Sequence, residues 1–509
     1  MKKFFILFVS CAPMIGMAQK AKSPKVANPL PYAKTITPED LKKHLYIVAG
    51  AEMEGRGTAT PGGKKAAEYI ESQFKAFGLQ PGNKESFQLY WPVFQDSIVS
   101  SGIEVNGKQF EANKDFAINA GMSYSSSMSL SEVVFVGYGL SDSTRDDYKG
   151  VDVRGKIVLV LPGAPATGDN ARRPAAFFLQ EAAAKNGAAA VLLVQTNFPR
   201  TANAAPAQQY VNGFRKTAFP NTFSISEGIA EAIMGADYKT AKDAVKTGNA
   251  PAKTYEADVT LDFTKKTTSV QASNVIAVVE GSDKRDEYVF ITAHMDHLGK
   301  RGDVIYYGAD DDGSGTVSVL ELAEAFAKAK AEGNGPRRTV VFMTVAGEEK
   351  GLWGSAYYGD HPVFPLEKTT VDLNIDMVGR TDPARTGDSS NYVYVVGDDK
   401  VSSDLRPISL AMNKKYAKMD LDYKFNDPND RLQIFYRSDH YNFARKGVPI
   451  IFYFDGIHKD YHAPTDTPDK INYTLMAKRV KLVFHTAWEM ANREEMLKRD
   501  IKLDMPGRR

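Results

Sequence analysis

The chain has 509 residues, of which 43% are apolar and 25% charged, a composition typical of a folded protein with two or three domains. Its 64 basic residues nearly balance its 62 acidic residues, which leaves a net charge of +2. This balance gives no support to nucleic acid or an anionic membrane surface as a partner.

Residues 1–18 have the features of a secretory signal: two lysines, a short apolar core, and the small residue Ala18 before Gln19. Cleavage there would remove Cys11, the only cysteine, and with it any disulfide or thiolate metal site. We therefore expect an exported protein, periplasmic or secreted. Lipid anchoring through Cys11 is the alternative, although the usual aliphatic residue three positions before the cysteine is replaced by Phe8.

The signal prediction can be tested directly on the exported protein. We expect its N-terminal sequence to begin at Gln19 or close by, because the small residues that signal peptidases require end at Ala18. Edman sequencing or mass spectrometry of the intact protein measures this. A chain that still begins with Met1, or one that carries lipid on Cys11, would contradict the prediction.

After the signal, apolar residues at helical spacing predict two helices, at 38–48 and 64–78. The region from 112 to 265 differs in character, with short strands and one alanine-rich helix, so we expect a separate small domain there. Its predicted elements are strands at 133–139, 155–161 and 188–194 and a helix near 179–187.

From residue 266 onward, strands alternate with helices, which predicts an α/β fold with a mixed, mainly parallel central sheet and helices on both faces. The predicted strands are 275–279, 288–293, 339–345, 371–375, 392–396 and 448–454, and the predicted helices lie near 316–332 and 473–492. In the first of these helices, the stripe of Val319, Leu322 and Phe326 indicates a core-facing side. No later segment has 18 consecutive apolar residues, so we predict no membrane span.

Most side chains of the kind that bind metals come just after these strands. His294 and Asp296 are two residues apart and so lie on the same side of an extended chain, where a carboxylate can orient an imidazole ring. Three aspartates, from Asp310 to Asp312, precede a helix. They do not form an EF-hand calcium loop, because its twelfth position is Val319 rather than Glu.

Further along, Glu348 and Glu349 follow a predicted strand directly, although adjacent carboxylates raise each other's pKa unless cations hold them ionised. Asp376 follows the next strand, and His462 lies in a late Tyr-His-x-x-x-Asp sequence. Two histidines with several carboxylates and no cysteine are a typical donor set of a hydrolytic zinc site.

The ordered motifs His-x-Asp, Gly-Ala-Asp-Asp, Gly-Glu-Glu-x-Gly-Leu-x-Gly-Ser, Asn-x-Asp-Met-x-Gly and Tyr-His-x-x-x-Asp resemble the co-catalytic di-zinc aminopeptidase family. This is the clan MH group of zinc exopeptidases, relatives of bacterial leucyl aminopeptidase and glutamate carboxypeptidase. The resemblance covers 274–492, while residues 54–62 and the following helix resemble the start of the catalytic domain. After the signal peptide at 1–18, it implies the first part of the peptidase domain at 19–111, a protease-associated α+β insert at 112–265 and the catalytic domain at 266–509.

The same resemblance implies two zinc ions and a role for each motif residue. His294 and Asp376 would bind one zinc, Glu349 and His462 the other, and Asp311 would bridge them. Asp296 would orient His294, and Glu348 would be the general base. The family often has Asn after the bridging aspartate, where this chain has Asp312, so Asp310 and Asp312 are expected only to cap the helix.

The function implied is hydrolysis of peptide or protein substrates by an aminopeptidase. Three alternatives stay open: a glutaminyl cyclase, a carboxypeptidase, and a binding ectodomain without catalysis. Neither a Gly-x-Ser-x-Gly elbow nor a His-Glu-x-x-His helix is present. For His297 the sequence leaves open substrate contact or packing, and His440 is a candidate to line the cleft. The other histidines of the mature chain are expected to be structural or exposed: His44, His361, His458 and His485.

Overall fold

The computed structural model describes residues 26–142, 145–163, 176–200, 209–212, 217–246 and 251–504. The predicted signal segment and Cys11 lie outside the described residues. Among the helices of the described ranges, none is long and apolar enough to cross a membrane.

The chain divides into two compact units. One combines residues 1–89 with 274–509 and is called the split unit here; the other, Tyr90–Ser273, is called the middle unit. The predicted insert at 112–265 lies inside the middle unit, which extends further at both ends. The extra residues belong largely to the strands Gln88–Val105 and Lys253–Val279. Because parts of these strands are exposed and polar, their sequence does not show the pattern from which strands are predicted.

The split unit is built on a mixed, mainly parallel sheet, as predicted from the sequence. Its strands are, in spatial order, Asp420–Asp422, Tyr392–Val396, Ile450–Phe454, Thr369–Ile375, Lys284–His294, Arg338–Val345 and the last residues of Lys253–Val279. The four strands from Ile450–Phe454 to Arg338–Val345 run parallel to one another. Three of them are buried along their whole length, and Lys284–His294 is buried over its last six residues, as expected of parallel strands covered on both faces.

Helices cover both faces of this sheet. They are Leu30–Ala33, Pro38–Val48, Pro61–Ala76, Gly315–Ala331, Trp353–Asp360, Leu405–Met412, His440–Ala444 and Tyr473–Asn492. On one face Phe326 packs against Phe342 and Phe484, and on the other Phe290 packs against Tyr358. The predicted stripe of Val319, Leu322 and Phe326 is fully buried, which confirms it as core. Each such side chain contributes about 1.5–3 kcal/mol to folding.

The middle unit has its own sheet and its own apolar cores. The sheet order is Lys253–Val279, Ser126–Phe135, Ile157–Val160, Ala190–Val194, Asn221–Ile225 and Phe116–Ile118, with parallel pairing between its four central strands. Its helices are Ala176–Lys185, Glu227–Met234 and Asp237–Lys246. Because alternate residues point to opposite faces, Val133 and Phe135 enter one apolar cluster while Val134 and Val136 enter another.

Candidate metal centre

The predicted site residues come together at one edge of the split unit's sheet. His294 is the last residue of its strand, Asp376 directly follows Thr369–Ile375, and Glu348 and Glu349 follow Arg338–Val345 by a short turn. These strands are parallel, so their carboxyl ends meet at the same edge. The turn after Arg338–Val345 requires Gly354, since a Cβ there would lie 2.3 Å from the carbonyl oxygen of Ala346.

One group of donors consists of His294, Asp311 and Asp376. The Nε2 atom of His294 lies 3.2 Å from Asp311 Oδ1 and 3.5 Å from Asp376 Oδ1. All three side chains are buried. Their ligand atoms lie close enough together to hold a single metal ion.

A second group shares Asp311 and lies on its other oxygen. His462 Nε2 is 3.2 Å from Asp311 Oδ2 and 3.1 Å from Glu349 Oε2. His297 Nδ1 lies 2.7 Å from Glu349 Oε1 and 3.8 Å from Asp311 Oδ2. Neither interpretation of His297 from sequence is decided, because the structure buries its ring and places its ligand atom with those of Asp311 and Glu349, close enough to hold a metal ion. Gly308 leaves room for the ring, since a Cβ there would lie 2.4 Å from the imidazole.

Asp296 holds the His294 ring and the turn that carries the glutamates. Its Oδ1 atom lies 3.7 Å from His294 Nδ1 and accepts a hydrogen bond of 3.2 Å from the backbone N–H of Glu348. Its other oxygen accepts a bond of 2.6 Å from the hydroxyl of Thr58. The contact of His294 Nδ1 with the backbone oxygen of Asp296 is 3.0 Å, so the residue reaches the ring by its main chain as well.

The loop of three aspartates is fixed by more than helix capping. Asp312 does accept the N–H of Gly315 in the first helical turn, but it also accepts those of His294 and Met377. Asp466 accepts the N–H groups of Asp310 and Asp311, and so sets the position of the shared carboxylate. The expectation that Asp312 only caps the helix is therefore wrong, because its carboxylate joins the ends of two strands to this loop.

Asp310 likewise does more than cap the helix. Its oxygens accept the N–H of Gly379 at 2.7 Å and lie 3.1 Å from His458 Nε2. The other ring nitrogen of His458 accepts the N–H of Asp460 at 3.2 Å, which leaves the proton on Nε2 to donate to Asp310. The capping expectation is therefore wrong for Asp310 too.

A fully buried guanidinium supports the same edge. Arg56 donates to the carbonyl oxygens of Val48, Met295, Tyr307 and Gly308 at 2.7 to 3.0 Å. These carbonyls belong to three separate segments, among them the chain that joins His294 to His297. Nothing in the local sequence around Arg56 predicts this role, since its partners come from far along the chain.

The two adjacent glutamates have opposite pKa shifts. Burial raises the pKa of Glu348 well above its usual range, and the carboxylates of Asp376 and Glu349 act in the same direction. Burial also works to raise the pKa of Glu349, but hydrogen bonding to His297 and His462 holds it below its usual value. Environments that move the pKa values of two neighbouring carboxyl groups apart are typical of a site in which one group binds a cation and the other exchanges a proton.

The donor atoms fit a metal centre on the evidence of their own hydrogen bonding. Among the described residues, five of these buried atoms make no well-aligned hydrogen bond: His294 Nε2, His297 Nδ1, His297 Nε2, Asp311 Oδ2 and Glu349 Oε1. Buried polar atoms without partners are rare in folded proteins unless an ion or water satisfies them. Since the donors are imidazoles and carboxylates around a shared aspartate, the set suits zinc.

A cavity adjoins the donors. Its polar lining comes from Asp311, Glu348, Asp376, Arg437 and Tyr461, and its apolar lining from Met377, Ile434, Phe452, Phe454 and Ile457. Tyr461 stacks on the His462 ring at 3.9 Å between centroids and accepts a hydrogen bond of 3.0 Å from Arg437. Sequence reasoning missed Tyr461 and Arg437, although Tyr461 directly precedes a predicted ligand.

The remaining histidines lie elsewhere. His440 is buried and stacks on Phe452, so it supports a wall of the cavity from behind. His44 contacts the Tyr69 hydroxyl at 2.7 Å, and His485 stacks on Tyr416. His361 is exposed.

Comparison with known proteins agrees with this geometry. Residues 274–487 match the sequence model of peptidase family M28. The M28 match confirms the resemblance to zinc exopeptidases that the sequence motifs indicated.

Relatives of this chain include a probable leucine aminopeptidase of Trichophyton verrucosum, 28% identical over 43% of this chain and 57% of the relative. The aminopeptidase YwaD of Bacillus subtilis is 25% identical over 52% of this chain and 54% of its own length. The chain spans between 26% and 57% of the length of the curated relatives it matches. An aminopeptidase structure from Aneurinibacillus sp. strain AM-1 shares the fold, with a TM-score of 0.54 and 20% identity over 95% of this chain and 100% of that one.

Proposed function

We propose that this chain is an exported zinc aminopeptidase that holds two zinc ions. The observation that carries the proposal is the pair of donor groups that share Asp311 and lie beside Glu348, at the edge of an M28 fold. Export is supported by the signal-like sequence of residues 1–18.

The division of ligands follows from the distances. His294 Nε2 lies near Asp311 Oδ1 and Asp376 Oδ1, while His462 Nε2 lies near Asp311 Oδ2 and Glu349 Oε2, which supports Asp311 as the bridge. His297 lies on the opposite oxygen of Glu349 from His462 and orients that carboxylate. Zinc bound in these groups would lower the pKa of water and polarise the carbonyl of a peptide bond.

Glu348 is the residue placed to move a proton. Its side chain lines the cavity, and its Oε2 atom lies 3.8 Å from His294 Nε2, near the first donor group but outside it. A carboxylate in that position takes a proton from the attacking water and returns it to the leaving amine. Tyr461 faces the same cavity, and because its oxygen accepts from Arg437, its own proton is free to donate to the substrate's carbonyl oxygen.

The cavity also indicates the class of substrate. Its apolar wall, formed in part by Ile434, Phe452 and Phe454, suits an apolar side chain next to the bond that is cut. Glu348 and Asp376 line the same cavity and can accept hydrogen bonds from a free α-amino group. We therefore propose peptides with an apolar N-terminal residue as substrates.

A carboxypeptidase is the second candidate, and one observation favours it. The guanidinium of Arg437 lines the cavity, and arginine pairs well with a terminal carboxylate. Three carboxylates line the cavity beside this single guanidinium, which favours the aminopeptidase.

For the middle unit we propose a protease-associated domain. Its support is the sequence resemblance of residues 112–265.

A digest of a peptide library, read by mass spectrometry, tests the function. We expect stepwise loss of residues from the N-terminus, fastest where the first residue is Leu, Ile, Met or Phe. Peptides with an acetylated N-terminus are the matched control and should stay intact. Trimming from the C-terminus would establish the carboxypeptidase instead, and an unchanged library would contradict both.

Removal of the metal tests the cofactor. Because the donors are imidazoles and carboxylates, exhaustive chelation is expected to abolish the peptidase activity, and added zinc to restore it. Metal analysis of the reloaded protein is expected to find two zinc ions per chain. Full activity in protein shown to contain no metal would contradict the zinc mechanism.

A further inference from the structure

A line of buried side chains extends from Asp376 along its own strand. Asp372, Asn374 and Asp376 alternate with apolar residues, so they lie on the same side of the strand Thr369–Ile375 and its continuation. Thr292 on the neighbouring strand is the register partner of Asn374. With Ser438, these form a continuous set of buried polar groups.

Hydrogen bonds join this set end to end. Asn374 Nδ2 lies 2.8 Å from Ser438 Oγ, and the hydroxyl of Ser438 works to lower the pKa of Asp376 by hydrogen bonding. At the far end, Thr292 Oγ1 is 2.9 Å from Asn374 Oδ1 and 2.8 Å from Asp372 Oδ1. Thr292 thus contacts two oxygen atoms, but its hydroxyl has a single proton to donate.

The direction of each hydrogen bond follows from Asp376, and this step rests on the proposed function. As a zinc ligand Asp376 is ionised and only accepts, so Ser438 donates to it. Ser438 must then accept from the amide nitrogen of Asn374, which turns the carbonyl oxygen of Asn374 toward Thr292.

A carbonyl oxygen only accepts, so Thr292 donates to Asn374. The contact between Thr292 and Asp372 then has a proton only if Asp372 carries it.

The surroundings of Asp372 support the same assignment independently. The residue is fully buried, and within the described part of the chain its Oδ2 atom has no hydrogen-bond partner. Burial raises the pKa of Asp372 well above its usual range, and the carboxylate of Asp439 acts in the same direction. An ionised carboxylate here would be a buried charge with one oxygen unsatisfied, which is costly.

We propose that Asp372 is a protonated positioning residue, which holds the zinc ligand Asp376 in place through Thr292, Asn374 and Ser438. In this chain of hydrogen bonds each group donates to the next, from Asp372 to Asp376. If Asp372 were ionised, the hydroxyl of Thr292 would donate its hydrogen bond to Asp372. Thr292 Oγ1 and Asn374 Oδ1 would then face each other without a proton between them. The chain therefore fixes Asp376 only while Asp372 is neutral.

Infrared spectroscopy of the full zinc-loaded chain tests the protonation state. At alkaline pH exposed carboxyl groups are ionised and no longer contribute to the C=O stretching band of protonated carboxyl groups. We expect part of this band to persist in the native protein and to weaken in Asp372→Asn. An identical band in both proteins would overturn the proposal. This comparison does not depend on catalysis: if the native protein binds no zinc, the proposed function fails while the spectra still decide the state of Asp372.

Substitutions test the positioning role. Asp372→Asn keeps a donor toward Thr292, so its zinc affinity is expected to stay close to that of the native protein. Asp372→Leu removes the donor and is expected to weaken zinc binding by about 10- to 100-fold, the usual effect of losing a group that orients a ligand.

Because Asp372→Leu risks misfolding, Thr292→Val is the second variant, and it is expected to weaken zinc binding in the same way. The matched control is Thr344→Val, which removes a buried hydroxyl of the adjacent strand that lies outside the chain and contacts Met295 Sδ at 3.6 Å. Equal losses in Asp372→Asn and Asp372→Leu, or in Thr292→Val and Thr344→Val, would overturn the proposal.

Discussion

Glu348→Gln is expected to lower kcat by roughly 10²- to 10⁴-fold, the usual contribution of a general acid or base, while both zinc ions stay bound. The substitution keeps the shape of the side chain but removes its ability to take a proton. It leaves intact the donor groups around Asp311, to which Glu348 does not belong. Zinc analysis beside steady-state kinetics on one substrate measures both effects.

Glu349→Gln is the matched variant, since it makes the same chemical change one residue further along the chain. Glu349 lies 3.1 Å from His462 Nε2 in the second donor group, so the loss of its charge is expected to weaken one zinc site. Activity should then return in part when zinc is in excess. The assignment fails if Glu348→Gln loses metal while Glu349→Gln keeps it.

Arg56→Met is expected to lower the free energy of unfolding by about 3–5 kcal/mol, because it removes the partner of four buried carbonyl oxygens. The guanidinium is completely buried, so water cannot replace its hydrogen bonds without local rearrangement. The variant should also bind zinc more weakly, since Arg56 holds the chain next to His294. Urea unfolding of the metal-free protein measures the first effect.

Arg301→Met is the control for this prediction. Arg301 is exposed, and its guanidinium lies over the ring of Tyr306, 4.8 Å from the ring centroid. Its substitution is expected to change stability by no more than about 0.5 kcal/mol. Equal stability of the Arg56 and Arg301 variants would show that the four carbonyl bonds do not stabilise the fold.

Much of the site was predictable because its residues follow strands whose apolar runs are easy to recognise. His294, Glu349 and Asp376 each come within a few residues of such a run. The carboxyl ends of parallel strands lie at the same edge of the sheet irrespective of the conformation of the loops. The family resemblance then supplied their roles. The mixed, mainly parallel direction of the sheet was predicted from the same alternation of strands and helices, whereas the order of its strands was not.

The rest of the site depends on long-range contacts that leave no local pattern. Thr58 reaches Asp296 across 238 residues of sequence, and Arg56 reaches Tyr307 across 251. The strand Gln88–Val105 was missed because its exposed middle lacks regular alternation. Asp312 was underestimated, since nothing in three consecutive aspartates shows which of them will accept backbone N–H groups from other strands.

The order of strands in the split unit has a consequence for when the candidate metal centre can be completed. Ile450–Phe454, the last strand in the chain, lies between Thr369–Ile375 and Tyr392–Val396, so the earlier strands cannot complete the sheet without it. His462 follows that strand, and contacts between such distant segments form slowly. During synthesis the candidate metal centre is therefore incomplete until Ile450–Phe454 and His462 have been made.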